Sequence, residues 1–236
     1  MMLSNRALAI LTSTAALAFA LGPFITAFDG FDPNAYPVPQ DSPPGQPAGY
    51  AFAIWGPIYL WLLASTGIGL LARADDSDWA PSRAPLLISL TIGAIWLPVA
   101  EQSPVWATIL IWGMLVSALI ALRRAPSKDR WLLQAPIGLY AGWLTAASCV
   151  SIALLGAGYD IVFGQTVWAA IAIAIALAIT ITTLRLRLVT PTYAIAVIWA
   201  LLAIVSQNLA GPTSIAILAG IGAIIVALAH LKTRVT

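Results

Sequence analysis

The chain has 236 residues, 61% of them hydrophobic and 8% charged, with a formal net charge of +2 and a mean hydropathy of +0.93. A soluble domain carries about 25% charged residues, so this chain has too little polar surface to cover a water-soluble core, and lipid is implied as its solvent. Basic residues occur without a block that could track a phosphate backbone, which argues against nucleic acid as a partner; one cysteine, Cys149, and one histidine, His230, exclude an internal disulfide and a His/Cys metal cluster.

A helix needs about 20 apolar residues to cross the hydrocarbon core, because it rises about 1.5 Å per residue. In chain order the candidates are Arg6 to Phe28, Ala51 to Ala72, Ala84 to Ala100, Pro104 to Leu122, Trp131 to Ala157, Ile161 to Leu184, Pro191 to Gln207 and Pro212 to Leu231. The third, fourth and seventh are the shortest. These runs are continuously apolar, without the polar/apolar alternation of a membrane barrel strand, so the expected fold class is all-α, a polytopic bundle of eight transmembrane helices. Ala18-Phe19-Ala20 resembles a signal-peptide cleavage site, but the apolar run continues to Phe28, beyond the usual core of about 7–15 residues. The first stretch is therefore expected to be retained as a helix.

Charge placement tests this helix count. With eight helices, Arg6, Arg73, Arg83, Arg123, Arg124, Lys128, Arg130, Arg185, Arg187, Lys232 and Arg234 all fall on one face, and Asp29, Asp32, Asp41, Glu101 and Asp160 fall on the other. Positive charge is retained in the cytoplasm during insertion. Both termini are thus expected to be cytoplasmic, in a bacterial inner membrane. The longest loop, residues 29–50, carries Pro33, Pro37, Pro39, Pro43, Pro44 and Pro47; it cannot be helical and is either a lid over the outer face or a connector. Residues 169–181, rich in Ala and Ile, read as filler on a lipid-facing surface.

Phe52, Trp55 and Tyr59 (i, i+3, i+7) form an aromatic stripe on the second helix, and Pro136, Tyr140, Trp143 and Ala147 share a face of the fifth. Trp79, Trp106, Trp131 and Trp168 fall near predicted ends and suit interfacial anchoring. Trp55, Trp96, Trp112, Trp143 and Trp199 lie deeper, where helix packing and the lining of a pocket for a flat hydrophobic ligand both remain open. Glu101 and Asp160 read as solvated caps at the outer boundary. Gly138 and Gly142 form a GxxxG motif that points to close helix contact. Pro57, Pro98 and Pro136 kink their helices or sit near the ends. No carboxylate pair, Ser/His/Asp set or activated thiol can be assembled, so no enzyme, catalytic residue or metal site is expected.

The run Pro47-Ala48-Gly49-Tyr50-Ala51-Phe52-Ala53-Ile54-Trp55-Gly56-Pro57-Ile58-Tyr59 resembles the second-helix signature of the tryptophan-rich sensory protein family (TspO/MBR, translocator-protein-like). Ile95-Trp96, Ile111-Trp112, and Pro136 through Tyr140 to Trp143 with Thr145 and Ala146 are similar to that family's later segments. The resemblance covers roughly residues 5 to 157. It implies a five-helix unit over residues 1–157 with a pocket beneath loop 29–50, and a three-helix extension over residues 158–236, as in longer bacterial relatives. By the same resemblance Tyr50, Phe52, Trp55, Tyr59, Trp96, Trp112, Tyr140 and Trp143 line the pocket. Gly93 and Ser151 stand where the family usually shows Asn, which removes hydrogen-bonding capacity.

The function that follows is binding of a flat hydrophobic ligand, a porphyrin or other tetrapyrrole or a lipid-like molecule, in a sensing or transport-like role. Membrane lipids and self-association are the expected partners, with no fixed cofactor. The alternative is an accessory subunit of a photosynthetic or respiratory complex, whose aromatics pack against pigments, lipids and neighbouring helices.

Overall fold

The computed structural model describes residues 4–26, 30–186 and 190–235. The predicted end of the first stretch at Phe28, together with Asp29 and Arg187, lies outside the described residues. Among the described residues every regular element is helical: α1 Asn5–Ile25, α2 Trp55–Leu71, α3 Ala80–Ala100, α4 Pro104–Arg124, α5 Ala135–Gly158, α6 Gln165–Leu186, α7 Pro191–Gln207 and α8 Thr213–Val235. Seven helical spans are long and apolar enough to cross a membrane, counting with α2 the 3-10 turn Gly49–Ile54 and with α5 the π turn Arg130–Gln134; α7, at 17 residues, is shorter. So many apolar spans make this a multi-pass membrane protein.

Local signals start several helices. Ser4, Ser103 and Thr190 accept bonds from the backbone N–H groups of Ala7, Trp106 and Thr192, satisfying donors that the first turn leaves free. Pro104 and Pro191 follow their caps directly, where a missing N–H costs nothing.

Four helix starts differ from the sequence reading by four residues, for identifiable reasons. Helix α3 begins at Ala80 and not Ala84, which takes Arg83 out of the expected loop and into the first turn. Arg83 is 4% exposed. Its guanidinium donates to the carbonyls of Asn5 (3.1 Å), Ala74 (2.6 Å), Gly69 (3.2 Å) and Arg73. One fork thus satisfies a carbonyl at the end of α2 and those of the connection after it, and ties them to the first residue of α1. Helix α2 proper starts at Trp55 because Pro57 has no N–H for the carbonyl of Ala53, and the preceding turn tightens to 3-10. Pro136 likewise follows the π turn that replaces the start of the fifth stretch. Residues 161–164 form a turn instead of opening the sixth helix, with Val162 at φ 60°.

Helices α1, α2, α5, α4 and α3 pack in that order around one ring, and α5, α6, α8 and α7 around a second. Helix α5 belongs to both, and 83% of its apolar span is buried against at most 44% for any other of the seven long spans. Gly138 and Gly142 explain how α7 lies so close. A Cβ on Gly138 would come 2.7 Å from Thr192 Oγ1, and one on Gly142 2.4 Å from the carbonyl oxygen of Tyr193. The GxxxG motif is a helix contact, as its spacing suggests.

At the basic end, Asp129 accepts from Trp79 Nε1 (2.8 Å) and Arg73 Nε (3.1 Å), and Lys128 pairs with Asp78 (3.0 Å). These bonds tie the α2–α3 and α4–α5 connections together. Trp79, expected as an interfacial anchor, is buried by its bond to Asp129 and its packing on Gly69. Trp106 and Trp131 are exposed, as anchors are.

Candidate ligand cavity

The first ring is hollow. Its cavity, of about 470 Å³, runs from the outer loop at Gly30, Gln46 and Gly49 down to Tyr59, Gly93 and Met114. Among the described residues no Asp, Glu, His, Lys, Arg or Cys lines it.

Aromatic rings shape the wall. Trp55 stacks on Tyr59, with centroids 5.4 Å apart and 17° between planes, and Phe19 meets both edge-on at 5.8 and 5.0 Å. Trp143 presents its edge or face to Phe52 (5.7 Å, 84°) and Trp55 (6.2 Å, 84°). Such near-perpendicular pairs are the favoured aromatic geometry, and they lock the wall without filling the space between. Trp96 is held by its indole N–H, which donates to the carbonyl of Ala107 on α4 (2.9 Å). Trp143 differs from it: the residue is 2% exposed, and its Nε1 has no hydrogen-bond partner. A buried donor left unmatched carries a desolvation cost.

Of the eight residues expected to line the pocket, Phe52, Trp55, Tyr59, Trp96 and Trp143 come together on this cavity. Tyr50, Trp112 and Tyr140 stand outside its lining. Tyr50 turns outward, edge-on to Trp199 of α7 at 5.6 Å, because the 3-10 turn rotates it away from the α-helical stripe. Trp112 sits in the α4–α5 seam, donating to the carbonyl of Ser148 (3.0 Å). Tyr140 is fully buried behind Phe19. Its hydroxyl donates to Ser89 Oγ (2.9 Å), which itself donates to the carbonyl of Met114 (2.8 Å).

Sequence reasoning missed the contribution of α1. Phe19, Pro23 and Thr26 line the cavity, and Phe19 lies directly over Gly93, where an added Cβ would come 2.7 Å from two ring carbons. The absent side chain at residue 93 is thus replaced in space by an aromatic ring from another helix. No local pattern in α1 announces this role; only the pairing of a glycine on α3 with a large ring on α1 does, and that pairing is tertiary.

The loop between α1 and α2 is folded over the outer end and not a free connector. Val38 N–H donates to the carbonyl of Gly158 (2.8 Å) and Ala48 N–H to that of Ala203 (3.2 Å). Asn208 Nδ2 donates to the carbonyl of Pro44 (2.9 Å), and Trp199 Nε1 to that of Ala51 (2.9 Å). Tyr36 packs on Gly158, where a Cβ would come within 2.4 Å of its ring, and burial with Tyr159 nearby pushes its phenol upward. The cover of the first ring is therefore fastened to helices of the second.

A family model described as TSPO-like protein matches residues 44–231. The match begins after α1 and continues through the helices of the second ring, beyond the stretch on which the resemblance was first seen. No curated protein and no solved structure matches the chain.

Proposed function

The chain belongs to the TSPO-like protein family, and from that premise we propose that it binds a flat hydrophobic ligand, tetrapyrrole or lipid-like, in the aromatic cavity of its first ring. The observation that carries this reading is a 470 Å³ cavity walled by Phe52, Trp55, Tyr59, Trp96 and Trp143, a volume within the range of about 300–1,000 Å³ usual for small-molecule sites. Planar faces on Trp55, Phe52 and Trp143 suit a planar guest. Among the described residues the lining offers the acidic substituents of a tetrapyrrole no cation, so these would stay at the outer mouth, in water.

The role is sensing or transport-like and not catalysis, since the described residues of the wall supply no side chain of ordinary acid–base strength near neutrality. We place the protein in a bacterial inner membrane, with eight crossings and both termini in the cytoplasm. Support comes from the basic residues of the α2–α3 connection, α3 and the α4–α5 connection, which gather at one end of the bundle.

The test is titration of the detergent-solubilised protein with protoporphyrin and with its dimethyl ester. Both should quench tryptophan emission saturably, the ester at least as tightly as the acid, because no cation awaits the carboxylates. Trp143→Ala should weaken both by roughly tenfold or more, the equivalent of about 1.4 kcal/mol. Quenching that never saturates, or that ignores Trp143→Ala, would defeat the proposal. Native mass measurement of the same preparation separates it from the accessory-subunit reading, which requires a stoichiometric partner.

A further inference from the structure

A second void of about 80 Å³ adjoins the main cavity, and Trp96 and Trp143 line both. Past that shared frame it follows one face of α5 along Val150, Ser151 and Leu154, and Phe31 and Pro47 of the outer loop line it too. Those α5 positions (i, i+1, i+4) keep to one side of the helix.

Two properties of this side arm decide what it can hold. It is small and walled by the rings of Phe31, Phe52, Trp96 and Trp143: a void of about 10–15 Å³ takes one water-sized sphere, so 80 Å³ takes a short run of methylene-sized groups and no fused ring system. It is also poor in polar partners: besides the indoles its described lining carries two polar side chains, Gln46 in the frame shared with the main cavity and Ser151, whose hydroxyl already donates to the carbonyl of Ser148 (2.8 Å). A buried water needs two to four partners, whereas an apolar void stays dry and accepts apolar guests. Hydrocarbon therefore suits the arm better than water.

We propose that the ligand is a flat ring system carrying a slender, unbranched alkyl tail, with the ring in the main cavity and the tail in the arm between α5 and the outer loop. This rests on the reading of the main cavity as the ligand site. It adds a shape requirement which that reading lacks: the tail leaves the ring between Trp96 and Trp143 and must be linear to pass.

The experiment compares pyrene, 1-butylpyrene and 1-tert-butylpyrene by tryptophan quenching of the wild-type protein in one detergent. The two butyl isomers carry the same carbons and partition into micelles alike, so their difference reports shape. Each buried methylene contributes about fourfold in affinity; a linear tail with three or more groups in the arm should bind at least tenfold more tightly than the branched isomer. Ser151→Leu, which fills the arm, should remove that advantage. Saturable binding of pyrene with no distinction between the isomers overturns the tail proposal and leaves the main cavity standing as a ring site. Failure of all three probes to bind saturably overturns both. The isomer comparison needs no variant, so it holds even where Ser151→Leu fails to fold.

Discussion

The contact between Phe19 and Gly93 yields a prediction whose sign depends on background. In Gly93→Ala the new methyl would stand 2.7 Å from two ring carbons of Phe19 and 3.0 Å from Met114 Cε. The ring cannot retreat sideways, because Trp55, Tyr59 and Tyr140 hold it with centroids 5.0–5.8 Å away; it must move into the cavity. Overpacking of this kind costs about 1–3 kcal/mol, offset by the ~0.5–1 kcal/mol that Ala gains over Gly inside a helix, for a net loss of roughly 0.5–2 kcal/mol. Phe19→Ala alone should cost about 3–5 kcal/mol. In that background the clash is gone and the methyl enters vacated space, so Gly93→Ala should stabilise, by about 0.5–1 kcal/mol. The coupling is then about 1–3 kcal/mol. Unfolding curves for the four proteins in one detergent measure it, and tetrapyrrole titration should show Gly93→Ala weakening binding as Phe19 is pushed into the chamber. An equal effect of Gly93→Ala with and without the Phe19 ring would refute the packing argument.

Two further outcomes follow from bonds at opposite ends of the bundle. Asn208→Ala leaves the buried carbonyl of Pro44 without its donor, a loss of about 1–3 kcal/mol, and should speed amide exchange across residues 38–48 as read by hydrogen-exchange mass spectrometry; unchanged exchange there would show that the loop does not depend on α7. At the basic end, the bonds from Trp79 and Arg73 hold the Asp129 carboxyl below the usual carboxylate range. A folded pKa below the unfolded one means stability present above the unfolded pKa, about 3.9, and lost as pH falls through the folded value. The gap in melting temperature between wild type and Asp129→Asn should therefore close on acidification, and a gap constant down to about pH 2 would contradict this sign.

Helix α7 was legible to the residue because its signals are local: Thr190 caps it, Pro191 opens it, and Asn208 with Gly211 follows its end. The start of α3 was not, since Arg83 reads as a loop cation until Asn5, Gly69, Arg73 and Ala74 are seen to surround it with carbonyls. The cavity divides in the same way. Phe52, Trp55 and Tyr59 share a helical period, so sequence groups them correctly on one wall. Tyr140 and Trp143 are three residues apart on one face of α5, yet only Trp143 reaches the cavity, because Phe19 covers Tyr140 from another helix. Periodicity says which residues face inward. What stands between them and an open space is decided by partners distant in the chain.

The two rings share α5 and are equally apolar, yet one is hollow and the other is filled, and the difference lies in side-chain width. In the second ring Gly138, Gly142, Ala196, Ala200 and Ala203 let α5 and α7 approach almost to backbone contact. In the first, rigid rings meet edge to face and prop the helices apart. A dry void of 470 Å³ would cost roughly 11 kcal/mol at about 24 cal/mol per Å³, comparable with the whole stability of an ordinary domain, about 5–15 kcal/mol. The cavity reaches the outer loop, and Thr26, Gln46 and Tyr59 on its wall give water some partners, whereas an apolar occupant regains the dispersion contacts that the open space gives up along the rings. On the proposed reading a bound ligand therefore stabilises the first ring as well as using it.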